Sequence, residues 1–261
     1  MSQEIYQHFA VEDVPFIDKC IEWLGQVEAY YAPVLTPFLD PYQVSILQTL
    51  GNRFGIKVFS SHDYVSSEYA RVLLAPDYFQ PCLSDFEMTL LEIVYPSKFE
   101  QLTHAQILGT ILNRLGINRK LFGDILVTNT RAQIIVDQKF ITLFQDGIQK
   151  IARSPVTLQK RPFSDLLSSN SDYQEKEILL SSLRLDAFLS KAWNISRSQT
   201  VVLLTKRSVQ VNYKIVDKSD YQIKVGDLIS VRRFGRIRII RENGVTKKDK
   251  KKLMIQLLVS K

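Results

Sequence analysis

The sequence predicts an α+β chain of several domains, and three observations carry that reading. Helical periodicity and short β-like runs alternate along the whole chain instead of segregating into halves. In the middle third these signals fall in the order β-α-β-β-α-β. The charge also divides: residues 181–261 hold 19 Lys and Arg against 6 Asp and Glu, while residues 1–180 hold 15 against 21. The net charge of +7 therefore conceals +13 in the last third and −6 in the rest. Such a split predicts a polyanion-binding module joined to a mildly acidic body. A length of 261 residues accommodates two or three domains, and 45% hydrophobic residues with mean hydropathy −0.06 describe a soluble globular chain.

The first segment, residues 1–82, reads as mixed α/β. Ile17, Cys20, Ile21, Leu24 and Val27 recur at three and four, the stripe of one helix face. Pro33 and Pro37 end that pattern. Asp40-Pro41 then reads as N-cap and first helical position, where a missing N–H costs nothing. Val44, Leu47 and Leu50 carry this second helix to Gly51, and residues 56–60 and 71–75 read as short strands.

Residues 83–163 give the clearest pattern. Met88–Tyr95 is a strand ended by Pro96. Thr103-x-x-Gln106 is a capping box before Ile107, Leu108, Ile111, Leu112 and Leu115, and Gly116 stands just past the end. Residues 124–128 and 132–136 read as strands joined by a hairpin. Asp137 is placed to cap a helix carrying Phe140, Phe144, Ile148 and Ile151, and residues 156–159 close the unit as a last strand. This order is the ferredoxin-like arrangement that RNA-recognition-motif domains share. The stacking aromatics of such a motif are missing: the third strand reads Arg131-Ala-Gln-Ile-Ile-Val136, and the first holds only Tyr95 near its end. The polar stretch 164–180, with Ser168-Ser169-Asn170-Ser171, is expected to be a linker.

In residues 181–261, Leu183, Ala187, Phe188 and Ala192 suggest a short helix, and Ser196-x-x-Gln199 is a second capping box. Strands are expected at 209–212, at 228–232, around Ile237 and Ile239 alternating with Arg236, Arg238 and Arg241, and from Leu253 to Val259. Asn243-Gly244 reads as the hairpin turn before the last. Arg197, Ser198 and Gln199 stand at a helix N-terminus, whose free N–H groups and positive dipole end suit phosphate. Lys191, Lys206, Arg207, Arg232, Arg233 and Arg236 are expected to surround that end if the helices pack on the sheet. On the residues alone the partner is a polyanion.

The segment resembles an S-four domain, a small RNA-binding module. The matching runs are Arg184-Leu185-Asp186, Ser196-Arg197-Ser198-Gln199, Val209-Gln210-Val211-Asn212, Lys224-Val225-Gly226-Asp227-Leu228-Ile229 and Val231-Arg232. One departure is Arg207, at the tight turn where the family usually has glycine. The resemblance implies RNA contact by Arg184, Lys191, Ser196, Arg197, Ser198, Gln199, Lys206, Arg207, Asn212, Arg232, Arg233 and Arg236. Arg184 with Asp186 reads equally as a structural ion pair, and Ser196 first as a cap. Secondary contacts are expected at Arg119 and Lys120, in the basic loop after Gly116, and at Lys247, Lys248 and Lys250, which read equally as a solvated hairpin flank.

The whole chain is similar to the YlmH-like family of bacterial S-four-domain proteins. The carrying runs are Leu35–Pro41, His104–Thr110, Leu115–Arg119, Gly123–Val127 and Gly244–Lys250. Where the family tends to have Gly-Gly-Tyr and Ala-Glu-Arg runs, this chain has Ser61-His62-Asp63-Tyr64 and Glu68-Tyr69-Ala70-Arg71. The resemblance implies a cytoplasmic, monomeric protein without cofactor or metal. It would bind ribosomal RNA and tRNA on the large ribosomal subunit, in quality control after stalled translation. The alternative is a cell-division scaffold whose basic domain binds a protein or membrane surface.

No enzyme is expected. His8, His62 and His104 are scattered, no nucleotide-binding glycine motif is present, and Cys82 has no basic neighbour in sequence. Two cysteines exclude a disulfide framework, the first residues lack a signal-peptide core, and no apolar run approaches membrane-spanning length.

Overall fold

The computed structural model describes Tyr6, Phe9 and residues 11–168 and 174–259. His8 and residues 169–173 of the expected linker lie outside the described residues. The chain forms two compact units, Met1–Ser169 and Asn170–Lys261.

The first unit holds two sheets. Helix α1 (Val14–Tyr30) and strand β1 (Val34–Leu39) are followed by α2 (Pro41–Phe54), β2 (Lys57–Ser60) and β3 (Ala70–Ala75). The strands lie in the order β1-β3-β2. Asp40 caps α2 reciprocally: Gln43 N–H donates to Asp40 Oδ1 at 2.9 Å, and Asp40 N–H to Gln43 Oε1 at 3.2 Å. This helix does not stop at Gly51 as expected. It runs to Phe54, and Gly55, at φ +67°, ends it. Gly51 serves a different need, because a Cβ there would lie 2.2 Å from Val58 Cγ2 on β2.

One face of this sheet buries Val72 and Leu74 under Leu24, Leu47 and Leu50 of the two helices. The other face meets the second sheet. That sheet comprises β4 (Met88–Val94), β5 (Phe122–Val127) and β6 (Ala132–Asp137), with α3 (His104–Leu115) between the first two. Then come α4 (Ile141–Gly147), a two-residue ladder of β7 (Lys150–Ile151) with β8 (Ser154–Pro155), and β9 (Thr157–Arg161). The order β5-β6-β4-β9, with every neighbouring pair antiparallel, is the ferredoxin-like arrangement. Helices α3 and α4 cover Leu91, Ile93, Ile134 and Val136. The opposite face presents Met88, Leu90 and Ile135, which share one buried cluster with Phe38 and Leu73 of the first sheet.

The second helix of this part is shorter than its apolar spacing predicts. Asp137 caps a 3-10 turn, α4 ends at Gly147, and Ile151 lies in the ladder. Ile148 and Ile151 are buried from non-helical positions, so burial mimics a helical stripe.

The second unit has a six-stranded sheet with two helices on one face. Its elements are β10 (Gln174–Leu180), α5 (Leu185–Trp193), α6 (Arg197–Thr205), β11 (Val209–Val211), β12 (Lys214–Ile215), β13 (Leu228–Val231), β14 (Gly235–Val245) and β15 (Lys251–Val259). The strand order is β10-β15-β14-β13-β11-β12. Phe188, Leu189 and Leu204 pack on Val209, Ile229, Ile237, Ile239 and Ile255.

Two expectations are corrected here. The linker does not extend to 180, because Gln174–Leu180 pairs along its full length with β15. As an edge strand it buries only Ile178 and Leu180 among its seven residues, so its polar half reads as a linker. Asn243-Gly244 is not the hairpin turn. It lies inside β14 at a register shift, with Gly244 at φ +96°. The turn follows it. There Thr246 N–H donates to Lys250 O at 2.8 Å and Asp249 N–H to Thr246 O at 3.0 Å.

Candidate nucleic-acid interface

The N-termini of α5 and α6 are built differently. At α5, Leu185 N–H donates to Tyr221 O at 2.9 Å and Asp186 N–H to Ser219 O at 3.2 Å, so the first donors are satisfied within the unit. Arg184 holds Asp186 in a bidentate pair, Nε to Oδ1 and a terminal nitrogen to Oδ2, both at 3.0 Å. Hydrogen bonding from Arg184 outweighs burial and holds the Asp186 carboxyl below its ordinary range; the Ala187 N–H and the charge of Arg197 add to this. The ion-pair reading of Arg184 is thus present in the structure, and its half-exposed guanidinium still faces solvent.

At α6, Ser196 and Gln199 cap each other. Gln199 N–H donates to Ser196 Oγ at 3.2 Å and Ser196 N–H to Gln199 Oε1 at 3.0 Å. Both side chains are therefore committed to the cap, and Ser198 Oγ lies 2.9 Å from Ser196 Oγ. Arg197 and Ser198 are exposed. Lys191 is exposed in the last turn of α5.

The expected ring of cations around this helix end is not formed. Lys206 and Arg207 follow the C-terminus of α6, and nine helical residues separate the two ends by about 12 Å. Arg207 takes the left-handed conformation at φ +52°, with its N–H on Leu204 O at 2.8 Å and Ser208 N–H on Leu203 O at 3.0 Å. The tight turn is thus kept without glycine. Arg232 N–H donates to Ser208 O at 3.0 Å, which ties the β13–β14 turn to this one. Exposed Lys206, Arg207, Arg232 and Arg233 accordingly form a separate group. Arg236 lies on neither: it projects from the sheet face away from the helices, since its neighbour Ile237 is in the core.

Asn212 is held by the fold. With Tyr213 it makes the β11–β12 turn, both at positive φ. Its Nδ2 donates to Asp227 Oδ1 at 2.8 Å, and its Oδ1 accepts from Leu228 N–H at 2.9 Å. Arg119 is also engaged, stacked 4.1 Å from the Tyr69 ring and 4.3 Å from the Phe122 ring, and donating to Phe122 O. Lys120 is exposed. Lys247, Lys248 and Lys250 are exposed at the β14–β15 tip.

The open sheet face that an RNA-recognition motif uses for stacking is covered here. Besides the shared cluster, Glu92 is held by Arg131 at 2.8 and 2.9 Å and by Gln133 at 2.7 Å, and Gln133 also binds the backbone of Asp165 and Leu167. The missing aromatics are visible in the sequence, but the cover is not. Among the described residues no cluster of His, Cys, Asp and Glu is arranged to hold a metal, and no helix is long and apolar enough to cross a membrane.

A helix-on-sheet module with a capped, cation-bearing helix end, in a chain that also carries a ferredoxin-like sheet, defines an RNA-binding-domain protein of the S4 type. Family models match three consecutive stretches: "YlmH, N-terminal" at residues 12–79, "Putative RNA-binding domain in YlmH" at 81–165 and "S4 domain" at 183–229. The chain belongs to the YlmH-like family of S4-domain proteins. It is 34% identical over 247 residues to "Ribosome-associated protein quality control protein P2" of Bacillus subtilis (strain 168), covering 95% of this chain and 96% of that one. It is also similar to the solved structure "Cell division protein ylmH from Streptococcus pneumoniae", at 59% identity and TM-score 0.57 over 62% of this chain and 99% of that one.

Proposed function

We propose that this protein is a non-catalytic, cytoplasmic RNA-binding factor of the ribosome, acting on large subunits that retain tRNA after stalled translation. The observation that carries the reading is the α6 N-terminus. Arg197 and Ser198 stand exposed there within the stretch that matches the S4 model, in the part of the chain that holds the positive excess. An anion at this end meets the helix dipole and a guanidinium together. The second cation group, Lys206, Arg207, Arg232 and Arg233, adds phosphate contacts, and Lys247, Lys248 and Lys250 extend the reach. The name of the Bacillus relative supports the ribosomal setting.

Co-sedimentation with ribosomal subunits across a salt series tests this. The protein is expected in the large-subunit fractions at low salt and to leave them steeply as salt rises. Protein that stays at the top of the gradient with tRNA-bearing large subunits present sinks the reading. The name of the streptococcal relative favours a second reading, a division-site scaffold. That reading gains if the protein localises to the septum when its RNA-contacting arginines are replaced.

A further inference from the structure

Strand β14 carries a row of cations on the face that the helices leave uncovered. Ile237 and Ile239 are core residues, so Arg236 and Arg238 project from the opposite face. A register shift between Ile239 and Arg241 then places Arg241 opposite Met254. Leu253 and Ile255, on either side of Met254, point into the core, so Arg241 shares the outer face with Arg238.

Two carboxylates near this face, Glu175 and Glu177, stand on the edge strand β10, two strands from Arg238 and Arg241. The cross-strand neighbours of Arg236 are Ser230 and Leu258, and those of Arg238 are Leu228 and Gln256. None of these is a carboxylate. Glu175, one strand further out, is bonded by Gln256 at 3.2 Å. Arg241 donates its Nε to Asn243 Oδ1 at 3.0 Å, Asn243 Nδ2 donates in turn to Glu177 Oε2 at 3.0 Å, and Arg241 remains exposed. Like charges two residues apart on one strand face lie about 6.6 Å apart and repel, so the arrangement costs stability in the free protein. An anionic strand laid along β14 removes that cost. On the flanking strands Ser230 stands opposite Arg236 and Gln256 opposite Arg238, polar groups that suit sugar and phosphate oxygens, among the apolar Leu228, Leu258 and Met254. The row also begins beside the Arg232–Arg233 turn and leads to the tip that carries Lys247, Lys248 and Lys250.

We propose that the outer face of β14, through Arg238 and Arg241, binds the phosphodiester backbone of an RNA strand at a site separate from the α6 helix end. The proposal rests on the RNA-binding reading above. It makes the second unit a two-faced module, holding RNA at the helix side and along the back of the sheet.

The test uses the full chain and purified large-subunit ribosomal RNA in filter binding over a salt series. Arg238→Gln with Arg241→Gln is expected to weaken binding about tenfold and to flatten the salt slope by about 1.4, two contacts' worth. Arg238→Lys with Arg241→Lys is expected to keep the slope. Adding Arg197→Ala to the Gln pair is expected to multiply the two losses, as independent sites do. Unchanged affinity and slope in the Gln pair overturns the proposal, and so does the absence of further loss on adding Arg197→Ala. A wild-type chain that fails to bind the RNA overturns the reading beneath it, a result told apart because no variant is then needed.

Discussion

Arg71 and Asp137 join the two sheets of the first unit. A terminal guanidinium nitrogen of Arg71 on β3 lies 3.3 Å from Asp137 Oδ1 on β6, and both side chains are at least nine-tenths hidden. Arg71 also donates to Thr36 O at 2.9 Å and Glu87 O at 3.0 Å. Burial pulls its pKa down while Asp137 and Glu87 pull it back. The arginine of the Glu68–Arg71 run is thus a fixed part of the interior.

Arg71→Leu is expected to destabilise the first unit by about 3–5 kcal/mol, because Asp137 is left buried without its cation. Urea unfolding followed by Trp23 in a Trp193→Phe background reads this unit alone, since the chain has two tryptophans. A change below about 1 kcal/mol, on the order of a surface pair, counts against the assignment.

Arg207→Gly is expected to separate stability from affinity. The left-handed conformation at φ +52° costs a non-glycine residue about 1 kcal/mol, so the variant should melt higher. Its RNA affinity should fall with the lost cation. Calorimetry and filter binding on the same sample check both signs.

Arg197→Ala is expected to lower RNA affinity and reduce the salt slope by about 0.7–0.9, with the melting temperature unchanged. The exposed side chain supports that separation. Equal affinity of variant and wild type in filter binding sinks the role given to this helix end.

Asp186 gives the second unit a pH dependence. Its folded-state pKa lies below the ordinary 3.8, so its stabilisation is fully present above that value and is lost as the pH falls through the folded pKa. Asp186→Asn should flatten the acid limb of unfolding below about pH 3.8 and cost stability at neutral pH. Acid titration monitored by Trp193 fluorescence in a Trp23→Phe background tests it.

Asn212→Ala is expected to destabilise the second unit by about 1–3 kcal/mol, since Asp227 and the Leu228 N–H lose their partner. Affinity per folded molecule should not change. A loss of affinity at full stability would restore Asn212 to the RNA-contacting set.

Local chemistry is legible in the sequence wherever one residue's neighbours decide its role. The N-cap at Asp40, the capping boxes at Thr103 and Ser196 and the left-handed Gly116 are all present. Long-range pairing is not. Gln174–Leu180 reads as polar because most of its positions face water at an edge, and only β15 reveals it as a strand. Asn243-Gly244 has turn chemistry, but pairing with β15 continues past it. The single ring of cations fails for the same reason: sequence places Arg197 and Arg207 ten positions apart without saying that a straight helix holds them at opposite ends. Arg238 and Arg241 are visible in the alternation with Ile237 and Ile239, but their face is defined only by the sheet.

The covered face of the ferredoxin-like sheet bears on modularity. Phe38 and Leu73 share an interior with Leu90 and Ile135, so residues 1–82 and 83–163 are not exchangeable cassettes. A fragment cut between them would expose Met88, Leu90 and Ile135 and strand Asp137 from Arg71. Sequence change on one sheet must be answered on the other, which ties the two segments to a common line of descent.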